Sequence, residues 1–186
     1  QSRGWRRTKL GRHHHHNRQH HLGQYSQFLG WRPEQCWQHH YYQQHYLGNA
    51  AGFNGGGVFN YGGSLTITNS TISGNRANQG GGVFNSAYSF IPGCCPGTLI
   101  LNRSLIAGNQ AAVGPEIENA TTMPLNTVTA NNINLFGADG NAGVTGFTRG
   151  ATDIVPARGV QVADILGPLE NNGGPTQTHA LVVGSP

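Results

Sequence analysis

One stretch of the chain is written twice: GGGVFN-YGG-SLTITNSTISGN from Gly55 to Asn75, and GGGVFN-SAYSFIPGCCPG-TLILNRSLIAGN from Gly80 to Asn109. Each copy opens on three glycines, Val, Phe and Asn, passes into alternating apolar residues and closes on Gly-Asn. The triplets Gly55, Gly56, Gly57 and Gly80, Gly81, Gly82 lie 25 residues apart, a period that marks a stacked repeat architecture. The second copy is nine residues longer, and all the extra length falls between Asn85 and the next strand. A loop inserted at 86–97 therefore interrupts an otherwise constant unit.

Leu65, Ile67 and Ile72 of the first copy correspond to Leu99, Leu101 and Ile106 of the second. Leu65 and Ile67 alternate with Thr66 and Thr68, so one face of the strand is apolar and the other polar. Gly, Asn and Ser between the strands suit tight corners because they tolerate left-handed backbone. If each unit makes one turn of a coil, equivalent residues lie above one another at about 4.8 Å, the strand spacing. Phe59 then stacks on Phe84, and Asn60 over Asn85 and Asn75 over Asn109 form amide ladders. A sandwich of hairpins requires no repeat at fixed period. The pattern predicts an all-β parallel β-helix, a solenoid.

Composition agrees. Charged residues make up 10% of the 186 residues while glycine numbers 29, the balance of a Gly/Asn/Thr-rich β repeat. The net charge of +4 is uneven: seven of eleven Lys/Arg precede residue 50 against one acid, Glu34, whereas the remainder has four Arg against six acids, a net of −2. The repeats therefore offer no basic groove for nucleic acid. No apolar run approaches the roughly 20 residues of a membrane span, and no signal peptide is visible. Of the three cysteines, Cys36 stands apart, and Cys94 and Cys95 read as small residues of a Pro/Gly-rich loop rather than as a bridge or metal ligands, since no metal-ligand spacing is present.

Residues 1–47 form an atypical segment with nine of the ten histidines and all three tryptophans. The run His13, His14, His15, His16 is a weak metal-binding alternative, because a compositional His cluster alone seldom marks a site. The genetic code offers another account. Histidine codons read one base later give Thr or Ile, so His20–Gln24 permits Thr-Ile-Ser-Gly-Asn, and Gln38–Tyr46 permits a sequence close to Ser64–Ile72. The segment is accordingly expected to be an out-of-frame rendering of further repeats, with frame restored near Leu47. As translated, it is expected to lie disordered outside the coil and to leave the turn near Gly55 uncapped.

The β-helix repeats are assigned to 48–150. Gln110–Thr122 carries no strong strand signal; Thr127–Thr129 and Asn131–Gly137 resume the stack through Val128, Ile133 and Leu135; Gly140–Gly150 reads as a loop. In the tail, 151–186, Asp153–Val155 reads as a short strand, Val160–Leu166 as a strand or a helical turn, and Asn-Gly-Gly-Pro at 172–175 as a turn. His179, the one histidine outside the atypical segment, reads as a hydrogen-bonded structural residue.

These repeats resemble those of bacterial secreted and surface proteins with a right-handed parallel β-helix, the pectin-lyase-like fold. GGGVFN and NSTISGN are also similar, in a different order, to the repeats of polymorphic outer-membrane proteins. The tail, from Asn134-Leu135-Phe136-Gly137 through LGPLENNGGPTQTHAL to Gly184-Ser185-Pro186, resembles the choice-of-anchor Q family, in which Gly-Ser-Pro is followed by Ala-Ile-Asp. The resemblance covers 49–186 and implies a fragment without complete end caps, an extracellular or cell-surface location, and membrane attachment only through an anchor outside it. The fold also hosts polysaccharide lyases and glycosidases, but fold does not give function. A glycosidase needs two carboxylates across a cleft, and Gly48–Asn109 contains no Asp or Glu; Glu116 and Glu118 read as solvated. The expectation is a non-catalytic structural or adhesive segment without cofactor. The alternative is a carbohydrate-binding or polysaccharide-degrading protein whose site lies mostly elsewhere. Tyr61, Tyr88 and Phe90 are the candidate binding aromatics, with surface glycans or neighbouring-cell proteins as partners.

Overall fold

The computed structural model describes residues 38–42, 44–87, 95–121, 126–173 and 177–185. In chain order the strands are β1 (Gln38–Tyr42), β2 (His45–Leu47) and β3 (Val58–Tyr61); β4 (Gly63–Thr68), β5 (Thr71–Ser73) and β6 (Val83–Ser86); β7 (Gly97–Asn102), β8 (Leu105–Ala107) and β9 (Ile117–Asn119); and β10 (Thr127–Ala130), β11 (Leu135–Phe136) and β12 (Val144–Thr145). Each group of three is one pass of the chain, and its members join three different sheets. The sheets are β1-β4-β7-β10, β2-β5-β8-β11 and β3-β6-β9-β12, and every pairing in them is parallel. The protein is all-β, built of parallel sheets stacked in register.

The register follows the apolar pattern residue for residue. Leu65 pairs with Leu99, Ile67 with Leu101, Ile72 with Ile106, and Val58 with Val83 and then Ile117. A slip of one residue would turn every one of these side chains outward. All three sheets contribute to one core, in which Ile67, Ile72, Val83, Leu99, Ile106, Ile117 and Phe136 are fully buried. Burying each such side chain is worth about 1.5–3 kcal/mol. Among the described residues the core is closed by aromatic rings. At one end Tyr41 and Tyr46, in register with Ile67 and Ile72, pack 5.7 Å apart. At the other, Phe147 meets Phe136 edge-on at 6.5 Å.

Five expectations are corrected. Residues 38–42 and 44–47 do not lie apart from the stack: β1 and β2 pair with β4 and β5, because the inward positions hold Tyr41 and Tyr46, large enough to cover the adjacent core. The passage after Asn109 does form a strand, β9, in register with β6. Ile133 does not join the stack: it is 60% exposed and has a φ of 54° at a corner, so Phe136 takes the core position instead. Part of Gly140–Gly150 is strand, as β12, while Asp153–Val155 contributes only a single bridge from Ile154 to Leu135. The remainder of residues 1–47 and most of the 86–97 loop lie outside the described residues.

Beyond the stack, a 3-10 turn at Val162–Asp164 leads into β13 (Leu166–Glu170), paired antiparallel with β14 (Thr178–Leu181). Ile165 and Leu166 pack on Ala107 and Leu135 as a second, smaller core. His179 Nδ1 donates to the Gly167 carbonyl across this hairpin at 2.6 Å.

Candidate functional site

The polar groups brought together most closely are three ladders at the corners of the stack. In the first, the backbone N–H and the Nδ2 of Asn49 both donate to Asn75 Oδ1, at 3.0 and 3.1 Å. Asn75 donates in the same two ways to Asn109 Oδ1, at 3.0 and 2.9 Å. In the second, Asn60 Nδ2 donates to Asn85 Oδ1 and Asn85 Nδ2 to Asn119 Oδ1, each at 2.7 Å, and Asn119 Nδ2 to the Gly146 carbonyl at 3.0 Å. In the third, the Gln44 N–H donates to Ser70 Oγ, Ser70 N–H to Ser104 Oγ, Ser104 N–H to Asn134 Oδ1, and Asn134 N–H and Nδ2 to Asp153 Oδ1. Every rung donates toward the C-terminal end. Aligned bonds of this kind polarise one another in a low-dielectric interior.

A chain of donors running one way must end on a pure acceptor. The second ladder ends on a backbone carbonyl and the third on the carboxylate of Asp153, buried at the far corner. The first ends on Glu116. At Gly137 the chain turns back through a bridge between Ala138 and Asn141, so no asparagine follows Asn109 in the stack. Glu116 supplies the missing acceptor. Its carboxylate accepts from Gly108 N–H at 2.9 Å, from Asn109 N–H at 3.3 Å and from Asn109 Nδ2.

The glycine triplets fit the same geometry. The first glycine of each, Gly55 and Gly80, has positive φ, as does Gly114 one pass later. The third leaves room for the ladder. A Cβ on Gly57 would lie 2.9 Å from Asn75 Nδ2, and one on Gly82 would lie 2.9 Å from Asn109 Nδ2 and 2.5 Å from the Glu116 carbonyl. Glu116 occupies the equivalent place in the next pass, where no asparagine competes, and its side chain fills the vacated position. Gly114-Pro115-Glu116-Ile117-Glu118-Asn119 is thus a third copy of the GGGVFN segment, legible as a glycine followed at fixed spacing by an aliphatic residue and Asn.

Glu116 and Glu118 are not solvated, contrary to expectation; they are 5% and 8% exposed. Burial pushes the Glu116 carboxyl up to about 7, against the opposing pull of its Asn109 and Gly108 donors. Burial also raises Glu118, whose Oε2 has no hydrogen-bond partner among the described residues. The two do not face each other across a cleft as a glycosidase pair would: Glu116 is turned into the ladder, and Glu118 is in register with Phe84 on the outer face.

Of the proposed binding aromatics, Tyr61 lies on the outer face of β3, 39% exposed. Its ring stacks on Phe59 at 5.5 Å, and Phe59 stacks on Phe84 at 5.6 Å. The rings face one another, so they do not lie flat as a platform. Tyr88 and Phe90 lie outside the described residues, as do His13, His14, His15 and His16. Among the described residues, no group of three or more His, Cys, Asp or Glu could hold a metal ion. Cys95 departs from its reading as a free small residue: it is buried and disulfide-bonded. In comparisons with known proteins, no family model, no curated protein and no solved structure matches the chain.

Proposed function

We propose that this chain is a non-catalytic structural segment of a larger secreted or surface-displayed protein, in which the stacked sheets close into a right-handed parallel β-helix of the pectin-lyase-like kind. The observation that carries this reading is the set of three hydrogen-bonded side-chain ladders, all of one polarity, of which two run through all four passes and the first through three. Such columns couple neighbouring passes in the direction along which a spacer bears load. The outer face of the β1-β4-β7-β10 sheet suits display: Ser64, Thr66, Thr98, Thr127 and Thr129 are neutral and short, and the face carries no Asp, Glu, Lys or Arg among the described residues. A disulfide at Cys95 fits an oxidising, extracytoplasmic setting. The resemblance of the tail to choice-of-anchor Q proteins supports the surface-displayed reading.

Single-molecule pulling along the chain tests the reading. A mechanical spacer unfolds in steps of about one 25–34-residue pass at forces that fall when a ladder residue is removed. Smooth extension at low force, unchanged by Asn85→Ala, overturns it.

The second reading, a carbohydrate-binding face, rests on the exposed stack of Phe59 and Tyr61. It requires glycan binding that Tyr61→Ala abolishes, measured on an array of polysaccharides.

A further inference from the structure

The chain contains two Asn-Gly links, Asn54-Gly55 and Asn172-Gly173. Such a link is the one at which an asparagine most readily loses its side-chain amide. Glycine has no Cβ to hinder its backbone, so its nitrogen can swing onto the side-chain carbonyl carbon of the residue before it. The reaction needs that N–H free to ionise and that backbone free to rotate. The stack denies both at Asn54. The Gly55 N–H donates to the Gln79 carbonyl at 3.0 Å, and Asn54 itself is bridged to Gln79. The backbone there is also closely gripped: a Cβ on Gly55 would lie 2.7 Å from Phe59 Cβ and 2.7 Å from the Val58 carbonyl oxygen. At the second link the surroundings are open. Asn171, Asn172 and Gly173 are all exposed. The Gly173 N–H donates to a side chain, Asn171 Oδ1 at 3.1 Å, and a Cβ on Gly173 would meet nothing within 4 Å among the described residues.

We propose that the Asn172-Gly173 link is a self-modification site, converting spontaneously to aspartate and isoaspartate, and that this conversion unties the loop end of the C-terminal hairpin. The Gly173 nitrogen, having given its proton to hydroxide, attacks Asn172 Cγ. The N–Cγ bond forms, the Cγ–Nδ2 bond breaks, and Nδ2 leaves as ammonia. Water then opens the five-membered imide at either carbonyl. One product is aspartate; the other is isoaspartate, whose backbone runs through Cβ and is one atom longer. The amide that is lost is the one that ties the strands together. Asn172 Nδ2 donates to the Thr178 carbonyl at 2.7 Å and to Thr178 Oγ1 at 3.2 Å, joining the end of β13 to the start of β14. In aspartate a carboxylate oxygen replaces this donor and faces the Thr178 carbonyl with no proton to share. In isoaspartate the donor is gone and the loop is longer. The base of the hairpin stays anchored, since Ile165 and Leu166 pack on Ala107 and Leu135. A two-stranded hairpin is marginal in water, so its loop end depends on this one lock.

The test ages the full chain in mildly alkaline buffer at body temperature, with peptide mass mapping and isoaspartate detection over time. Conversion at Asn172 is expected to run at least about tenfold faster than at Asn54, whose glycine must first open out of the stack. Amide hydrogen exchange is then measured on the aged chain. Protection of the β14 amides, Thr178–Leu181, is expected to fall about three- to tenfold relative to Leu101, the worth of one hydrogen bond. Freshly prepared Asn172→Asp, altered at an exposed loop position, is expected to show the same loss without ageing. Conversion at Asn172 that is absent, or no faster than at Asn54, overturns the proposal. So does β14 protection that stays unchanged in the aged chain or in Asn172→Asp.

Discussion

Replacing Asn85 by alanine removes the middle of the second ladder. Asn85 is fully buried. Its Nδ2 donates to the Gly97 carbonyl at 2.9 Å, to Asn119 Oδ1 at 2.7 Å and to the Thr127 carbonyl at 3.2 Å, and its Oδ1 accepts from Asn60 Nδ2 at 2.7 Å. Asn60 retains a long alternative in the Gly63 carbonyl at 3.3 Å. The Gly97 and Asn119 oxygens lose the donor they share. Each buried polar group left unsatisfied costs about 1–3 kcal/mol, so Asn85→Ala should cost about 3–5 kcal/mol, a large part of the 5–15 kcal/mol typical of a domain. Urea unfolding followed by circular dichroism measures this. With a slope of about 2 kcal/mol per molar, the midpoint should fall by about 2 M without a change in slope. Asn85→Leu restores volume but no donor and should not recover the loss. Asn102→Ala, whose longer bond to Thr68 Oγ1 at 3.4 Å lies in a half-buried position, should cost under about 1 kcal/mol. A loss under about 1 kcal/mol for Asn85→Ala, or full rescue by leucine, would refute the claim that the ladder holds the passes together.

Four further outcomes follow from the same geometry. Gly82→Ala places a Cβ 2.5 Å from a backbone oxygen and should cost about 1–3 kcal/mol or more, read from the same urea titration. Phe136→Ala opens a fully buried end of the core and should cost about 3–5 kcal/mol; a melting temperature that does not move would contradict the packing described. Global stability should fall as pH rises from 4.5 through about 7, because the folded state holds the Glu116 proton more tightly than the unfolded chain; the gap between those two values corresponds to about 3 kcal/mol, and a stability that rises instead, with Glu116→Gln unchanged from the parent, would reverse the sign. His39→Leu puts the apolar residue of the next passes into the inward position paired with Leu65 and should raise stability by about 1–2 kcal/mol in thermal unfolding.

The passes built from GGGVFN and its alternating strand were plain in the sequence because their chemistry repeats: Leu over Leu, Ile over Ile, Asn over Asn. Where the chemistry changes at a constant position, the signal fades. Glu118 in place of Phe84, and Glu116 in place of Gly82, hid β9, although Gly114, Ile117 and Asn119 keep their places. The third ladder was equally hidden, since it passes from serine hydroxyls at Ser70 and Ser104 to an amide at Asn134 and a carboxylate at Asp153. Only register shows these groups to be equivalent acceptors. At β1 and β2 the inward residues Tyr41 and Tyr46 are not the aliphatic residues that periodicity detects, yet they meet the core as a covering layer. The alignment of Gln38–Tyr46 with Ser64–Ile72 that shifted codons suggest is the register in which these strands pair. Burial of Glu116 and Glu118 was illegible for a general reason: two acids around one isoleucine read as an exposed strand unless the partners above and below are known.

Inter-strand nuclear Overhauser contacts show whether successive passes stack in parallel and in register. Contacts should link Leu65 to Leu99 and Leu99 to Val128, and Asn85 side-chain amide protons should lie close to Asn119, with no close pairs of facing α-protons in these sheets. Close α-proton pairs between β4 and β5 or between β7 and β8, the mark of antiparallel hairpins, would contradict it.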